Sequence, residues 1–247
     1  MHDSSSKGAY HKLPSERNLT TLDSGQSPLY TSLMKANTFS ILGDSISTFE
    51  QCNPPENEVF YPKEGCDVLD KEHTWWHMLM EETKLHLVMN ESYSGSRISV
   101  TGSRPPSSSF LSHTRQERLS GDIIIVFGGT NDFGQAEKPA TLAVFSEAYD
   151  HLVQLMLETH QESKLFFCTP LQRSDKALDE KNIHFWSQND LASTIRKTLG
   201  HYPEANLIDL ASYPITNGDG MLFDGLHPTR QGMRLIATLI KEGLNLD

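Results

Sequence analysis

The feature that most constrains the fold of this chain is an uninterrupted apolar run, Ile123-Ile124-Ile125-Val126-Phe127. A strand with one face in water alternates apolar and polar residues, whereas a continuous run is typical of a strand covered on both faces, as in a parallel sheet. Short apolar runs of this kind occur at 38–43, 85–90, 122–129, 164–170 and 205–210. We therefore predict five strands.

The stretches between these runs have helical periodicity. In residues 140–158, apolar side chains recur at steps of three and four, which places them on one face of a helix. Residues 74–83, 184–199 and 228–243 show the same pattern. Strands that alternate with helices indicate an α/β protein with a doubly wound parallel sheet and helices on both faces.

The length of 247 residues suits one sizeable domain. Residues 1–36 are rich in Ser, Thr, Asn, Lys and Pro and have no apolar period. We predict that they form a flexible N-terminal arm and that residues 37–247 form the domain.

The charge of the chain indicates which partners are disfavoured, and its cysteines indicate the redox setting. The chain has 32 acidic and 21 basic residues, a net charge of −11, which disfavours nucleic acid and anionic membranes. No apolar run reaches the roughly 20 residues of a membrane-spanning helix, and the first residues lack a secretory signal pattern. The three cysteines form no C-x-x-C pair, so a reduced, cytoplasmic setting is the simpler interpretation. A bridge between Cys52 and Cys66 stays open.

Polar residues follow four of the predicted strands. Gly43-Asp44-Ser45 follows the first strand, Gly95 lies shortly after the second, and Asn131-Asp132 follows the third. Asp224 and His227 come after the last strand, just before the final helix. The carboxyl ends of parallel strands share one edge of the sheet, where ligands bind in such folds. We therefore expect these segments to meet.

Each of these residues has a chemical role to which it is suited. A serine hydroxyl such as that of Ser45 needs a base to become a nucleophile, and an imidazole, here that of His227, titrates near neutral pH. Asp224, three residues upstream, could orient that imidazole. The N–H groups of Ser45 and Gly95 and the amide of Asn131 are candidate donors to the oxyanion of a tetrahedral intermediate.

Each motif alone is also typical of a turn or a helix cap. The segment Gly128-Gly129-Thr130 could form a backbone nest for an anion, which keeps open a ligand-binding domain without chemistry. His73 and His77 have the i, i+4 spacing of some zinc ligands, but the glutamate of H-E-x-x-H and an obvious third ligand are missing, so we predict no metal.

Together, the segments ILGDSIS, NESYSGS, VFGGTNDF and DGLHPT resemble the four sequence blocks of the SGNH hydrolases, the superfamily of GDSL-type lipases and esterases. The superfamily's Ser, Gly, Asn and His match Ser45, Gly95, Asn131 and His227, and Asp224 stands at its usual acid position. The resemblance covers about residues 38–243. It implies a flavodoxin-like three-layer α/β/α fold with a five-stranded parallel sheet, and a serine esterase that needs no metal or cofactor.

The sequence indicates the type of reaction more narrowly than it indicates the substrate. The resemblance implies an ester substrate, and the acidic chain favours a small acyl ester, such as an O-acetylated carbohydrate, over membrane lipid. A lipase or thioesterase for longer acyl chains is the alternative. We further expect substrate contacts from Asp44, Phe49, Arg97 and Asp132.

Overall fold

The computed structural model describes residues 37–135 and 139–246, so the arm predicted for residues 1–36 lies outside the described residues. Its five strands all pair in parallel, in the order β2-β1-β3-β4-β5, which is the flavodoxin-like order. The strands are β1 (Thr38–Gly43), β2 (His86–Ser92), β3 (Ile123–Phe127), β4 (Lys164–Cys168) and β5 (Ala205–Ile208). The predicted fold class and five-stranded parallel sheet are confirmed.

Within the described residues, six α-helices connect and cover the strands. They are α1 (Trp75–Thr83), α2 (His113–Glu117), α3 (Thr130–Gly134), α4 (Leu142–Thr159), α5 (Gln188–Leu199) and α6 (Arg230–Leu244). The four predicted helices are present with shifted ends. Helix α5 begins four residues later than predicted because Ser187 and Asp190 form a capping box there. Helices α2 and α3 were not predicted, since five residues are too few to show a helical period.

Both faces of the central strand are covered, which explains its uninterrupted apolar run. Ile123 and Ile125 lie in the core beneath α1 and α6, and Ile124 and Val126 lie in the core beneath α4 and α5. All four side chains are buried, and burial of one such side chain contributes about 1.5–3 kcal/mol.

The strand register sets the starting point of the loops that carry the polar motifs. Gly43 pairs with Phe127 on one side and with Ser92 on the other, so three of the polar segments begin side by side. Strand β3 ends at Phe127, two residues before the predicted boundary, because Gly129 turns the chain with a φ of 112° at the start of α3. In the described part of the chain, no helix is long and apolar enough to cross a membrane.

Candidate active site

The nucleophile candidate lies in a tight turn directly after β1. Residues Ser45–Ser47 form one turn of 3₁₀ helix, which Asp44 caps by accepting a 3.0 Å hydrogen bond from the Ile46 N–H. Thr48 Oγ1 donates to the Ser45 carbonyl at 2.8 Å and fixes the other end of the turn. As the first N–H of a helical turn, that of Ser45 has no partner within it.

The histidine and its acid lie in the loop before α6. Asp224 Oδ1 accepts the backbone N–H groups of Leu226 and His227, at 3.1 and 2.8 Å, which locks the loop around the carboxylate. The other oxygen, Oδ2, lies 2.8 Å from His227 Nδ1, and His227 Nε2 lies 2.9 Å from Ser45 Oγ. The structure thus brings together a carboxylate, an imidazole and a hydroxyl in one chain of hydrogen bonds, across 182 positions of sequence.

Burial and nearby charges shift the pKa of the His227 imidazole. Burial is the largest influence on the pKa of His227 and lowers it, the Asp224 carboxylate raises it, and the cations Arg173 and Lys63 lower it further. The net result is a pKa below the ordinary value, so the imidazole is neutral at neutral pH and can accept a proton. Burial also pushes the pKa of Asp224 upward, but the hydrogen bonds from His227 outweigh it and leave that pKa below its usual range.

Three candidate donor groups lie in the serine turn, in the loop after β2 that contains Gly95 (the Gly95 loop), and in α3. Among the described residues, the Gly95 N–H donates to no acceptor, as is true of the Ser45 N–H. Asn131 Nδ2 donates to the Ser96 carbonyl at 2.9 Å, which uses one of its two hydrogens and ties α3 to the Gly95 loop. The arrangement can polarise a carbonyl while a hydroxyl attacks it.

Comparison with known proteins agrees with this geometry. The sequence profile of the GDSL-like lipase/acylhydrolase family matches residues 37–244. This chain belongs to that family. It is a serine hydrolase of the SGNH type, and the resemblance drawn from the four sequence blocks is confirmed.

Solved structures with this fold include two from Bacteroides. A protein from Bacteroides ovatus classed as a GDSL-like lipase is 27% identical, with a TM-score of 0.63, and the match covers 85% of this chain and 98% of that one. One from Bacteroides uniformis, classed likewise, is 29% identical with a TM-score of 0.63, over 85% and 95% of the two chains. An acetyl xylan esterase shares the fold at 18% identity and a TM-score of 0.57, over 84% and 99%. No curated protein matches the chain.

Gly95 in this GDSL-like hydrolase has a backbone conformation that favours glycine. Its φ is 78°, in the left-handed region that other residues rarely adopt. A Cβ at this position would lie 2.8 Å from Arg104 Nε, which is at the end of a flexible side chain and can shift. The backbone conformation is therefore what selects glycine here.

Asp132 supports the Gly95 loop of the hydrolase. Its fully buried carboxylate accepts the Ile98 N–H at 2.8 Å, the Ser99 N–H at 3.0 Å and the Ser99 hydroxyl at 2.5 Å. Burial raises its pKa to about 6 against the opposing effect of these bonds. A side chain without exposed surface cannot touch a substrate, so the predicted substrate contact is corrected to a structural one.

The other three expected substrate contacts are buried as well. Asp44 is 1% exposed and holds the serine turn, and burial raises its pKa to about 7. Phe49 belongs to the core beneath α1 and α6. Arg97 is 3% exposed and donates to Gln135 Oε1 from Nε and Nη2, at 3.0 and 2.7 Å. These three side chains are about as buried as Ser45 and His227 themselves, so a substrate contact by any of them stays a prediction.

The loop of the hydrolase that carries Asp224 and His227 (the histidine loop) is also held by residues that no sequence motif indicates. The N–H groups of Ser174 and Asp175 donate to the Gly225 carbonyl at 2.9 and 3.4 Å, and Arg173 forms a two-bond ion pair with Asp175. The Phe60 ring lies against the imidazole of His227. These residues lie in loops without periodicity, where no sequence signal could have found them.

The sequence offered three further features, a histidine pair, a possible anion nest at 128–130 and a possible disulfide, and the structure shows the surroundings of each. His73 ends a short 3₁₀ turn and His77 lies in α1, with the N-cap of α1 between them, so the two do not share a helix as their spacing suggested. No cluster of three ligand-type side chains occurs within 37–135 and 139–246. The segment 128–130 is buried, and Phe110 fills the space where a Cβ of Gly128 would lie, so no anion reaches a nest there. All three cysteines are free thiols.

Proposed function

We propose that this hydrolase is an esterase that removes small acyl groups, acetyl foremost, from carbohydrate hydroxyls. The observation that carries the catalytic part of the proposal is the unbroken chain of hydrogen bonds from Asp224 through His227 to Ser45. Nucleophilic catalysis by serine needs a base within hydrogen-bond reach and a third group that orients the base, and both are present.

The reaction then follows from the positions of the groups. Ser45 Oγ attacks the ester carbonyl carbon while its proton passes to His227 Nε2. The N–H groups of Ser45 and Gly95 and the amide of Asn131 hold the oxyanion. When the intermediate collapses, His227 returns the proton to the departing alcohol and the acyl group stays on Ser45. A water molecule, deprotonated by the same imidazole, releases the acid.

Limited access to the reacting groups supports a small acyl group. Ser45 is 3% exposed, His227 9% and Asn131 6%, so the acyl group must fit into a narrow space. A cleft of about 650 Å³, large enough for a long acyl chain, lies beside β2 and does not include the serine or the histidine. The net charge of −11 disfavours approach to an anionic lipid surface.

Support for a carbohydrate as the alcohol is less direct. The acetyl xylan esterase has this fold, so the scaffold is compatible with deacetylation of a polysaccharide. Half-exposed polar side chains at the rim, among them the ion pair of Arg104 with Glu58 above Gly95, suit hydroxyl groups better than alkyl chains.

The catalytic assignment is tested by Ser45→Ala. We expect ester hydrolysis to fall by at least a factor of about 10³, because the nucleophile is lost, with an unchanged circular dichroism spectrum and melting temperature. Ser47→Ala, which removes a neighbouring hydroxyl from the same turn, is the control for general disturbance of the turn. Substantial activity in the Ser45→Ala protein would overturn the assignment.

The substrate proposal is tested by a hydrolysis panel. We expect p-nitrophenyl acetate to be cleaved with a higher kcat/KM than the butyrate and octanoate, and acetate to be released from acetylated xylooligosaccharides. A kcat/KM that increases with acyl chain length would replace the carbohydrate proposal with the lipase or thioesterase alternative. In that case the catalytic assignment would still stand.

A further inference from the structure

An aromatic ring covers one face of the imidazole. The Phe60 and His227 ring centroids are 3.5 Å apart and the ring planes differ by 9°, so the two rings are stacked. Both nitrogens at the imidazole edge are already used, one by Asp224 and one by Ser45. The flat faces are the remaining surface of the imidazole, and Phe60 occupies one of them.

The segment around Phe60 is tied to both halves of the site. The Phe60 N–H donates to Thr48 Oγ1 at 2.9 Å, and this hydroxyl in turn donates to the Ser45 carbonyl. The next residue, Tyr61, donates its hydroxyl proton to the Pro228 carbonyl at 2.8 Å, directly after the histidine. The ring therefore has a position fixed relative to the nucleophile turn and to the histidine loop at once.

We propose that Phe60 is a positioning residue that holds the His227 imidazole in the plane defined by its two hydrogen bonds. Rotation about the Cβ–Cγ bond of His227 would move both nitrogens out of line with their partners. A ring in contact at 3.5 Å opposes that rotation, and small misplacements of a catalytic group cost large factors in rate. The inference rests on the proposed function of His227 as the base.

The same ring keeps water from one face of the imidazole. The charged groups that act on His227 are Asp224 in its own loop, Arg173 after β4 and Lys63 in the loop that carries Phe60. These charges stay in place when the Phe60 ring is removed, whereas the hydration of the imidazole increases. Loss of the ring should therefore raise the pKa of His227 toward its ordinary value.

The test compares Phe60→Tyr, Phe60→Leu and Phe60→Ala in the full chain. Tyrosine keeps the flat ring, and we expect kcat within about twofold of the wild type. Alanine should lower kcat on the order of 10- to 100-fold with little change in KM, because the base is misplaced and substrate binding is not. The acidic limb of the kcat/KM profile should move to higher pH. Leucine keeps much of the volume without the ring, and its kcat should lie between the two.

A purely structural role would give a different pattern. It would lower the melting temperature in all three variants according to lost volume and leave kcat and the acidic limb of the folded protein unchanged, which would overturn the inference. If Phe60→Ala does not fold, the comparison of Tyr with Leu decides, since only one of them keeps a flat ring. Ser45→Ala separates the two proposals: an inactive Ser45→Ala protein beside a fully active Phe60→Leu protein contradicts only the inference.

Discussion

At the scale of single residues, the site depends on which nitrogen of His227 carries the proton. Asp224 uses one carboxylate oxygen for backbone N–H groups and the other for Nδ1, so it keeps a proton on Nδ1 and leaves Nε2 free to accept one. Both the loop conformation and the tautomer thus depend on one side chain.

Replacing this carboxylate by an amide should preserve the loop and reverse the tautomer. In Asp224→Asn, the amide oxygen can still accept the backbone N–H groups, but its NH₂ group faces Nδ1 and forces the proton onto Nε2. We expect kcat to fall by a factor on the order of 10³–10⁴ with little loss of stability. Asp179→Asn, at an exposed position, is the matched control. Near-normal turnover in Asp224→Asn would contradict the assigned role.

The depressed pKa of His227 has a direct consequence for the pH dependence. The base must be neutral to act, and it is protonated only below its pKa, which burial lowers from 6.5. Activity should therefore persist as the pH falls through 6.5 and be lost only at lower pH. A kcat/KM profile measured with a neutral ester checks this; an acidic limb centred above 6.5 would show that the imidazole is not buried as described.

Among the elements around the site, the Gly95 loop is held by one buried carboxylate in α3, that of Asp132. Asp132 satisfies two backbone N–H groups and a hydroxyl of the segment that follows Gly95. In Asp132→Ala these donors lose their acceptor, and one unsatisfied buried donor costs about 1–3 kcal/mol.

We therefore expect Asp132→Ala to be destabilised by roughly 2–5 kcal/mol and to lose activity with it, as measured by urea denaturation and ester hydrolysis. Asp132→Asn keeps one acceptor oxygen and should lie between this variant and the wild type. If Asp132→Ala were as stable as the wild type, the carboxylate would not be the support of this loop.

At the scale of the whole molecule, a buried arginine joins α2 to the sheet edge that carries the site. Arg115 Nη2 donates to the carbonyls of Gly43 and Glu91 at the ends of β1 and β2, at 2.8 and 2.6 Å. Its Nε lies 3.6 Å from the fully buried Glu91 carboxylate. Burial lowers the pKa of Arg115 to about 10, which still leaves it charged at neutral pH.

Removing this cation should lower the free energy of unfolding, because the buried Glu91 carboxylate loses a positively charged partner and two strand-end carbonyls lose a hydrogen-bond donor. We expect Arg115→Leu to lose about 3–5 kcal/mol of unfolding free energy in urea denaturation. Lys176→Ala, which removes a solvent-exposed pair with Glu180, should cost less than about 1 kcal/mol. Equal losses of unfolding free energy in the two variants would show that the buried ion pair stabilises the protein no more than the exposed one.

Features with a local sequence signal could be predicted from the sequence, whereas those that depend on tertiary contacts could not. Strand β3 and helix α4 were predictable because their signal is local: five apolar residues in a row, and apolar steps of three and four. The proximity of Ser45 and His227 was predictable because parallel strands bring their carboxyl ends together. The burial of Asp44 and Asp132 was not, since polar residues at strand ends contact either ligands or the protein. Phe60 and Arg173 lie in aperiodic loops whose course only tertiary contacts decide.

If the imidazole of His227 activates the hydroxyl of Ser45, Ser45 should react with a serine-directed fluorophosphonate. The adduct is located by peptide mass spectrometry after treatment of the whole protein. We expect one adduct, on Ser45, that forms at least about 100-fold more slowly in His227→Ala. An unmodified Ser45, or an adduct that forms equally fast without His227, would contradict this activation of Ser45.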